Sequence, residues 1–418
     1  MLGGMTQPAV GPLGQVSIGA PAARALVTEV RRRPGPKSAL LVGAEPGAAV
    51  LRAAIDALLP EDSLAVVASD PAAMRTHVTG LGSWVADRVR VLDSTAEAGP
   101  VDVVVLGEPV TGTSEQARTS LDELAKLLAP GGVLCAATIA VPGVAPGAAA
   151  ELDRQAALYG IGSDLVLRNV PPVRVHRLRW TAADPATADG LLPVDRPSSV
   201  PVTGQMHIDS NGVAAAGLAL GTAALLKLTR RRSRLWLLPA AAALPVAAFF
   251  RDPQRDVPED TSLIVAASDG EVLSVEHVTD DRFTPDGATV EYLRVAAFLS
   301  VLDVHINRSP VAGQVVDHFV TDGGYAPAMN AEAEHNVAAY TVLDTGRARV
   351  VVAQRTGLIA RRIVHRAPVG SLLARGERFG LIRFGSRTDV YLPAGSVEPL
   401  VSAGDRIRGG ATAIARWR

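Results

Sequence analysis

The stretch GLIRFGSRTDVYLP, residues 380–393, holds a Gly-Ser pair between two short runs that are typical of β-strands. LIRF and TDVYLP are rich in aliphatic, β-branched and aromatic residues, and the Gly-Ser pair separates them as a turn does. Around this stretch, from Arg251 onward, short strand-like runs alternate with Gly, Pro and Asp, and no long helical period is present. We therefore predict a mostly-β domain over residues 251–418, with Gly385 and Ser386 at a tight connection between two of its strands.

A different pattern covers residues 36–182, where strand-like runs alternate with helical runs. SALLVG, SLAVVASD, RVRVLD and VDVVVLGEP are strand-like, and AAVLRAAIDALL is the first helical run between them. This alternation predicts βαβ units and a parallel sheet. We expect an α/β doubly wound, Rossmann-like domain with its ligand site at the carboxyl ends of the strands. Residues 1–35 are rich in Gly, Pro and Ala, and we expect a flexible N-terminus with one candidate helix in AARALVTEVRRR.

Two apolar runs follow a polar, Pro-rich linker at residues 183–212. VAAAGLALGTAALLKL covers 213–228, LWLLPAAAALPVAAFF covers 235–250, and the basic cluster TRRRSR separates them. Each run is shorter than the roughly 20 residues that span a bilayer, and neither is amphipathic, as a helix on the surface of a globular domain is. We predict that residues 213–250 form a membrane-associating helical hairpin whose arginines meet anionic headgroups. A hairpin buried inside the protein is the alternative.

Charge and cysteine content exclude several classes of protein. The 41 Lys and Arg residues against 42 Asp and Glu give a formal net charge of −1, so no global field favours nucleic acid. The single cysteine, Cys135, excludes an intrachain disulfide framework and a multi-cysteine zinc site, and we expect no metal. The first residues, MLGGMTQPAVGPLGQ, lack the charged and apolar regions of a secretory signal. We therefore expect an intracellular protein.

Three stretches of the C-terminal domain carry groups that could activate a hydroxyl. ASDGEV presents Asp269 before a glycine, SVLDVHINRSPVAG presents His305, and RFGSR presents Ser386. An acid, an imidazole and a hydroxyl are the components of an activated nucleophile. Any domain of this size holds several of each, so this spacing alone is weak evidence.

Five separated motifs give these residues their weight. In order along the chain they are FFRDPQRDVPED, ASDGEV, FLSVLDVHINRSPVAG, GLIARRIV and GERFGLIRFGSRTDVYLP. Together they resemble the short-form phosphatidylserine decarboxylases, a family of pyruvoyl enzymes made as proenzymes, over about residues 240–418. The resemblance implies conversion of phosphatidylserine to phosphatidylethanolamine in phospholipid biosynthesis, at an anionic membrane surface. It also implies a peripheral or monotopic protein on the cytoplasmic face of the cell membrane, α and β chains that stay associated, and a candidate homo-oligomer.

The resemblance further implies self-cleavage between Gly385 and Ser386. The Ser386 hydroxyl would attack the Gly385 carbonyl, and elimination would leave a dehydroalanine that hydrolyses to an N-terminal pyruvoyl group and ammonia. Serine fits because its oxygen is first the nucleophile and then the leaving group, and glycine leaves the carbonyl unhindered. His305 is the expected base, and Asp269 is expected to orient it.

Two more residues are candidates for substrate contact. Arg251, in FFRDPQR, could attract the lipid phosphate or could simply keep its charge at the interface while its stem lies on apolar surface. Asn336, in MNAEAEHNVAAY, occupies a stretch that lines the site in the resembled family, and a structural turn is the equal alternative.

The N-terminal domain resembles the class I S-adenosylmethionine-dependent methyltransferases. LAPGGVLCAATIA matches a late turn and strand of that family, and VVASDP places Asp70 where an acid would bind the ribose hydroxyls. Gly43 and Gly47, in LLVGAEPGAAV, are the candidate glycine loop, but Glu45 replaces its middle glycine and Leu41 stands where the family usually has an acid. Because a glutamate would crowd the cofactor, we favour a non-catalytic scaffold. A bifunctional lipid enzyme that methylates the product amine and a catalytically inactive lipid-binding protein are the alternatives.

Overall fold

The protein divides into two compact units, Met1–Ala183 and Asp184–Arg418. The computed structural model describes residues 17–194, 199–230, 232–358, 362–383 and 386–418. The first unit is α/β and the second is mostly β, so both predicted fold classes are confirmed.

The first unit is built on a seven-stranded sheet with the order β3-β2-β1-β4-β5-β7-β6. Strands β1 to β5 are parallel, and β7 lies antiparallel between β5 and β6. The strands are β1 Ser38–Val42, β2 Ser63–Val67, β3 Val89–Leu92, β4 Val101–Pro109, β5 Leu128–Ile139, β6 Gly160–Val166 and β7 Val173–Leu178. The helices are α1 Ala20–Leu26, α2 Thr28–Arg32, α3 Ala49–Ile55, α4 Pro71–Gly80, α5 Ser83–Ala86, α6 Ser114–Ala125 and α7 Pro146–Tyr159. Because helices cover both faces, adjacent residues of β1 such as Leu40 and Leu41 are buried in different hydrophobic clusters.

The ordered part of this unit begins earlier than the sequence suggested. Helices α1 and α2 pack into the main hydrophobic cluster, with Ala22, Leu26 and Val30 buried. The candidate helix in AARALVTEVRRR is therefore confirmed as the two short helices α1 and α2, and the predicted flexible N-terminus does not extend over residues 20–32. The reason is that small and aliphatic side chains repeat at helical spacing there and give the helices an apolar face. Residues 1–16 lie outside the described part.

The second unit contains two β-sheets that bear on the site, together with smaller strand groups. The large sheet has the order β19-β15-β16-β17-β21-β13-β12-β23, and a small one has the order β14-β20-β18. The first strands of the unit are β8 Val200–Thr203, β9 Met206–Ile208, β10 Arg251–Pro253, β11 Leu263–Val265, β12 Gly270–Asp280, β13 Val290–Leu299, β14 Ile306–Arg308 and β15 Gly313–Thr321. The others are β16 Ala338–Asp344, β17 Arg349–Arg355, β18 Ile363–His365, β19 Leu372–Leu373, β20 Arg378–Ile382, β21 Ser386–Pro393, β22 Val397–Pro399, β23 Arg406–Ile407 and β24 Ala413–Trp417.

Part of the predicted linker belongs to this second unit. Strands β8 and β9 form a hairpin across a two-residue turn at Gly204 and Gln205, and β9 pairs with β10. The prediction of a linker over residues 183–212 is therefore wrong for residues 200–208. The run VPVTGQMHI has alternating strand-forming residues around a glycine turn, and pairing with β10 fixes it in place.

The two apolar runs form helices α8 Ser210–Thr229 and α9 Leu237–Phe249, which we call the apolar hairpin. The α8 helix has 20 residues, so it is about 30 Å long and is long and apolar enough to cross a membrane by length and composition. The prediction that each run is too short to span is thus wrong for the first run, because the helix begins at Ser210. Only 11% of the apolar window of α8 is buried, so the alternative of a hairpin buried inside the protein is wrong as well.

Candidate active site

Ser386 is the first residue of β21, a central strand of the large sheet. Its partner on β13 is Leu299, and its side chain is fully buried. Among the described residues, no group forms a hydrogen bond with Ser386 Oγ. Gly385, the other residue of the predicted cleavage site, lies outside the described residues. A buried hydroxyl without a partner costs about 1–3 kcal/mol, so its retention calls for a functional explanation.

His305 is buried at the start of β14 and has one nitrogen in use. Its Nδ1 lies 2.9 Å from the carbonyl oxygen of Asp303, so Nδ1 carries the hydrogen and Nε2 keeps a free lone pair. Nε2 is buried and has no hydrogen-bond partner in the described part of the chain. Burial lowers the pKa of His305 to about 4, so the ring is neutral at pH 7. The arrangement provides a neutral base with a single unoccupied nitrogen.

The backbone places His305 beside the segment that leads to Ser386. The His305 carbonyl oxygen accepts a hydrogen bond of 3.3 Å from the backbone N–H of Ile382, the last residue of β20. Ser386 follows four positions later. The ring of Phe249, at the end of α9, lies 4.2 Å from the imidazole between ring centres. The end of the apolar hairpin therefore contributes part of the wall around His305.

Asp269 does not orient His305 as expected. Its carboxylate pairs with Arg255 Nη2 at 2.6 Å and accepts a 2.8 Å hydrogen bond from the Gly409 N–H. Burial raises the pKa of Asp269, although Arg255 and the Gly409 N–H oppose the rise. The prediction of an Asp269–His305 contact is therefore wrong, because Arg255 from the FFRDPQR motif occupies the carboxylate and the Asp303 carbonyl orients the imidazole instead.

Three buried polar side chains that the sequence analysis missed connect β14, β17 and β21. Gln354 Nε2 donates to Asn307 Oδ1 at 2.7 Å, and Asn307 Nδ2 lies 3.4 Å from Thr388 Oγ1. Gln354 pairs with Thr388 across the sheet, and Thr388 shares a face of β21 with Ser386. A Cβ at Gly380 would come within 3.0 Å of Gln354 Nε2, so a glycine there leaves room for the amide. This network fixes the start of β21 relative to β14.

A buried ion network holds the middle of β21. Arg355 and Arg387 each approach the Asp389 carboxylate at 2.6 Å. Burial opposes the charge on Asp389, but the two guanidinium groups hold its pKa below the ordinary value. Arg355 also donates to Tyr391 Oη at 3.0 Å. Removal of one partner would leave a buried charge uncompensated and would destabilise the fold, so the network holds β21 in position beside β17.

Arg251 contacts backbone carbonyl groups at the base of the apolar hairpin. It donates to the carbonyl oxygen of Ala248 at 3.2 Å and to that of Leu302. The guanidinium thus joins the end of α9 to the loop that precedes His305. Two of its nitrogens are committed to structure, which weakens its candidacy as a phosphate ligand.

Asn336 is buried and its side-chain amide is fully occupied. Its Nδ2 donates to the carbonyl oxygens of Thr356 and Ala326 at 2.8 and 2.9 Å, and its Oδ1 accepts from the Ala326 N–H at 2.7 Å. These bonds cross-link two loops. The geometry supports the alternative of a structural turn for Asn336 and leaves no amide group directed at a substrate.

In the first unit, the predicted glycine loop lies at the carboxyl ends of the parallel strands. Gly43 and Gly47 have φ values of 77° and 78°, which favour glycine. Asp70 follows β2 and caps α4, because its Oδ1 accepts a 2.9 Å hydrogen bond from the Ala73 N–H. The loop and Asp70 therefore lie at the strand ends where we expect a ligand, and the ligand site itself stays a prediction.

A glutamate side chain crosses the predicted glycine loop. Glu45 Oε1 accepts a 2.5 Å hydrogen bond from Ser69 Oγ, so the glutamate reaches from the β1 loop to the end of β2. Glu108, at the end of β4, has its pKa raised by burial and by the charge of Glu45. The carboxyl ends of these strands thus carry two neighbouring carboxylates, and Asp70 is used as a helix cap.

Comparisons with known proteins identify relatives of the second unit. Residues 243–415 match the family model described as phosphatidylserine decarboxylase. The phosphatidylserine decarboxylase proenzyme of Symbiobacterium thermophilum is 50% identical over 179 residues, which is 42% of this chain and 81% of that protein. The corresponding proenzyme of Gluconacetobacter diazotrophicus is 51% identical over 172 residues, 40% of this chain and 75% of that protein.

A solved structure is similar to the N-terminal region of the chain. The O-methyltransferase TomG from Streptomyces achromogenes, solved with SAM, covers 40% of this chain and 82% of its own at 14% identity and a TM-score of 0.29. At this identity and score the likeness says nothing about activity. The two proenzymes, by contrast, are matched over most of their own length at about half identity. The chain therefore belongs to the phosphatidylserine decarboxylase family.

Proposed function

We propose that the chain is a self-processing, pyruvoyl-dependent phosphatidylserine decarboxylase, a carboxy-lyase that forms phosphatidylethanolamine. The observation that carries the proposal is a pair of buried, unpartnered atoms, Ser386 Oγ and His305 Nε2, among the described residues. A structural serine or histidine in a core is normally hydrogen-bonded. By contrast, the reacting atoms of a nucleophile and of a general base are left without a hydrogen-bond partner until the reacting group is in place.

In the proposed maturation, His305 Nε2 accepts the proton of Ser386 Oγ while that oxygen attacks the Gly385 carbonyl carbon. The C–O bond forms, the proton passes to the departing nitrogen of Ser386, and the C–N bond breaks, so the amide becomes an ester. Loss of the Ser386 α-proton then expels Oγ with the Gly385 carboxylate and leaves a dehydroalanine. Water hydrolyses its imine tautomer to the pyruvoyl group and releases ammonia.

The surroundings of Ser386 fit a pyruvoyl group at this position. The residue is fully buried, its side-chain oxygen is not engaged by described residues, and it begins a strand that is paired on both sides. Once formed, the group would supply a carbonyl that withdraws the electron pair left when carbon dioxide departs. His305 Nε2, which is unprotonated at rest, would take a proton from the ammonium group of the substrate and return it to the substrate carbon after carbon dioxide departs, and the Phe249 ring packs against the imidazole.

The test is the intact mass of the freshly purified full-length protein under denaturing conditions. We expect two species, a large chain that ends at Gly385 and a small chain that begins with pyruvoyl in place of Ser386. The small chain distinguishes the mechanism from proteolysis, because proteolysis would leave an ordinary serine amine. A single 43.3 kDa species would contradict the proposal.

We also propose that the apolar hairpin binds the membrane surface from which phosphatidylserine is taken. Exposed leucines support this, since Leu225 is 60% and Leu244 is 77% exposed. Burying one leucine in lipid contributes about 1.5–3 kcal/mol. Contiguous apolar surface of this kind on a protein normally meets a partner or a bilayer.

Replacing Leu225 and Leu244 together with aspartate is expected to lower the partition coefficient onto vesicles of phosphatidylserine and phosphatidylcholine at least 100-fold, the loss of about 3 kcal/mol. Flotation of the mature protein on a density gradient measures it. Leu158→Asp is the matched control, because this leucine is 62% exposed on α7 in the other unit. If both variants floated like the wild type, the hairpin would not be the membrane contact.

A further inference from the structure

Three arginines flank strands β18 and β20 of the small sheet, and two of them contact the start of α8. We call Arg362, Arg366 and Arg383 the arginine corner. Strands β18 and β20 are antiparallel with Ile363 opposite Ile382, and the pairing continues because the Arg383 N–H donates to the Arg362 carbonyl at 3.2 Å. Residues opposite each other in such a pair share a face. The side chains of Arg362 and Arg383 therefore emerge side by side.

This face of the small sheet is directed toward the hairpin. Val364 and Leu381, on the same face, pack with Phe249 and Phe250 at the end of α9. At the start of α8, Asn211 Oδ1 accepts a 2.7 Å hydrogen bond from Arg383 Nη2. The arginine corner thus lies where the apolar surface of the hairpin ends and the β domain begins.

The arginine corner has three guanidinium groups, and one carboxylate, that of Asp209, forms an ion pair with them in the described part of the chain. Asp209 forms a two-point ion pair with Arg366 and is occupied by it. In the described part of the chain, Arg362 and Arg383 form no ion pair with a carboxylate, and Arg383 Nε is buried without a hydrogen-bond partner. Burial and the neighbouring Arg362 and Arg366 lower the pKa of Arg383, and the Asp209 carboxylate only partly opposes this.

Arg383 is close to Ser386 along the chain. Arg383 precedes Ser386 by three positions, so their Cα atoms are at most about 11 Å apart while the chain is intact. A phospholipid whose serine amine reaches position 386 and whose acyl chains lie along the hairpin must place its phosphodiester between the two. The arginine corner adjoins the base of the hairpin and is joined to position 386 through Arg383, and a guanidinium is the preferred partner of phosphate oxygens.

We propose that Arg383, with Arg362 beside it, binds the phosphodiester of the lipid headgroup. The inference rests on the proposed decarboxylase function and names the part of the site that recognises its substrate class. It replaces Arg251, whose guanidinium is engaged by two carbonyl oxygens. Phosphate chemistry alone does not distinguish a lipid headgroup from free phosphate, so the experiment includes both.

The test uses mature full-length protein with Arg383→Gln, and intact mass first verifies that each variant is cleaved. With dicaproyl phosphatidylserine as substrate, KM is expected to rise at least tenfold while kcat changes less than about twofold, because a charge-assisted contact outside the reacting atoms is lost. With O-octyl-serine, which has the amine and carboxylate but no phosphate, kcat/KM should equal that of the wild type. Arg383→Lys should recover part of the loss.

Two further variants control for a general effect of losing a positive charge and for a failure of Arg383→Gln to be cleaved. Arg347→Gln, in the exposed turn between β16 and β17, removes the same charge far from the corner and should leave both substrates unaffected. Arg362→Gln, farther along the chain from the cleavage site, should raise KM for dicaproyl phosphatidylserine even if Arg383→Gln were not cleaved. A KM change no larger than that of Arg347→Gln, or an equal loss on both substrates, would overturn the proposal.

Inhibition of the wild type separates the two sources of phosphate. Glycerophosphoserine should compete with the lipid at lower concentration than inorganic phosphate does, and Arg383→Gln should weaken that competition. If inorganic phosphate competed equally well, the corner would be a free-phosphate site and the headgroup assignment would be wrong. An uncut or inactive wild type would instead refute the proposed function itself, so the two failures are distinguishable.

Discussion

Ser386→Ala is expected to yield one uncut chain with no decarboxylase activity. Without Oγ there is neither a nucleophile for the Gly385 carbonyl nor a leaving group for the elimination, so the loss should be complete. Intact mass and formation of phosphatidylethanolamine from phosphatidylserine measure the two outcomes. Two chains in this variant would place the cleavage site elsewhere.

The stability of this variant separates a functional hydroxyl from a structural one. Ser371 is the matched control, because it is buried and its Oγ donates to the Pro368 carbonyl at 2.6 Å. Ser371→Ala should be cleaved normally and should lose about 1 kcal/mol in the free energy of unfolding. Ser386→Ala removes a hydroxyl that has no partner among the described residues, so its free energy of unfolding should be equal to or higher than that of the uncut wild-type precursor.

His305→Gln is expected to slow maturation by roughly 10²–10⁴-fold, the usual contribution of a positioned general base. Glutamine retains a polar side chain of similar size but cannot accept the Ser386 proton at neutral pH. A time course of cleavage after synthesis in a cell-free system, followed by mass spectrometry, measures the rate. His277→Gln is the control, because His277 is exposed and lies 2.9 Å from Glu291. Normal cleavage in His305→Gln would remove it as the base.

The pH profile of the wild type gives an independent check on His305. The neutral imidazole is the active form, and burial lowers its pKa to about 4. The maturation rate should therefore stay nearly constant from pH 8 to pH 5 and fall only as the pH approaches 4. Circular dichroism at each pH shows whether the fold persists. A midpoint near 6.5, the ordinary value for histidine, would mean that His305 titrates in contact with water.

Local pattern predicted the fold classes, whereas long-range contacts decided the details of the site. The alternation in residues 38–109 and the turn-rich runs after Arg251 indicated α/β and mostly-β units, because side-chain periodicity is a local property. The Arg255–Asp269 pair could not be predicted that way, since several arginines compete for each acid and only the fold selects one. Gln354 and Asn307, 47 positions apart, gave no sequence signal that they form one network.

The predicted bounds of the flexible N-terminus and of the linker were wrong for a related reason. The sequence indicates residues 20–32 only as a candidate helix outside the α/β domain, and residues 200–208 as part of a linker. Both become ordered through tertiary partners, the first by packing on the sheet and the second by pairing with β10. Propensity is a weak guide where packing supplies most of the stability.

The central position of β21 determines whether the two chains of the mature protein can separate without unfolding. In the proposed mature form the small chain begins with this strand, which lies between β13 and β17. Its Asp389 forms buried ion pairs with Arg355 of the large chain and with Arg387 of the small chain. The small chain could leave only if the middle of the large sheet came apart, so dissociation of the two chains and global unfolding are one event. The fold is assembled while the chain is continuous, and the cut then removes the connection that guided it. The mature protein is therefore held by a kinetic barrier, and its unfolding is a one-way process.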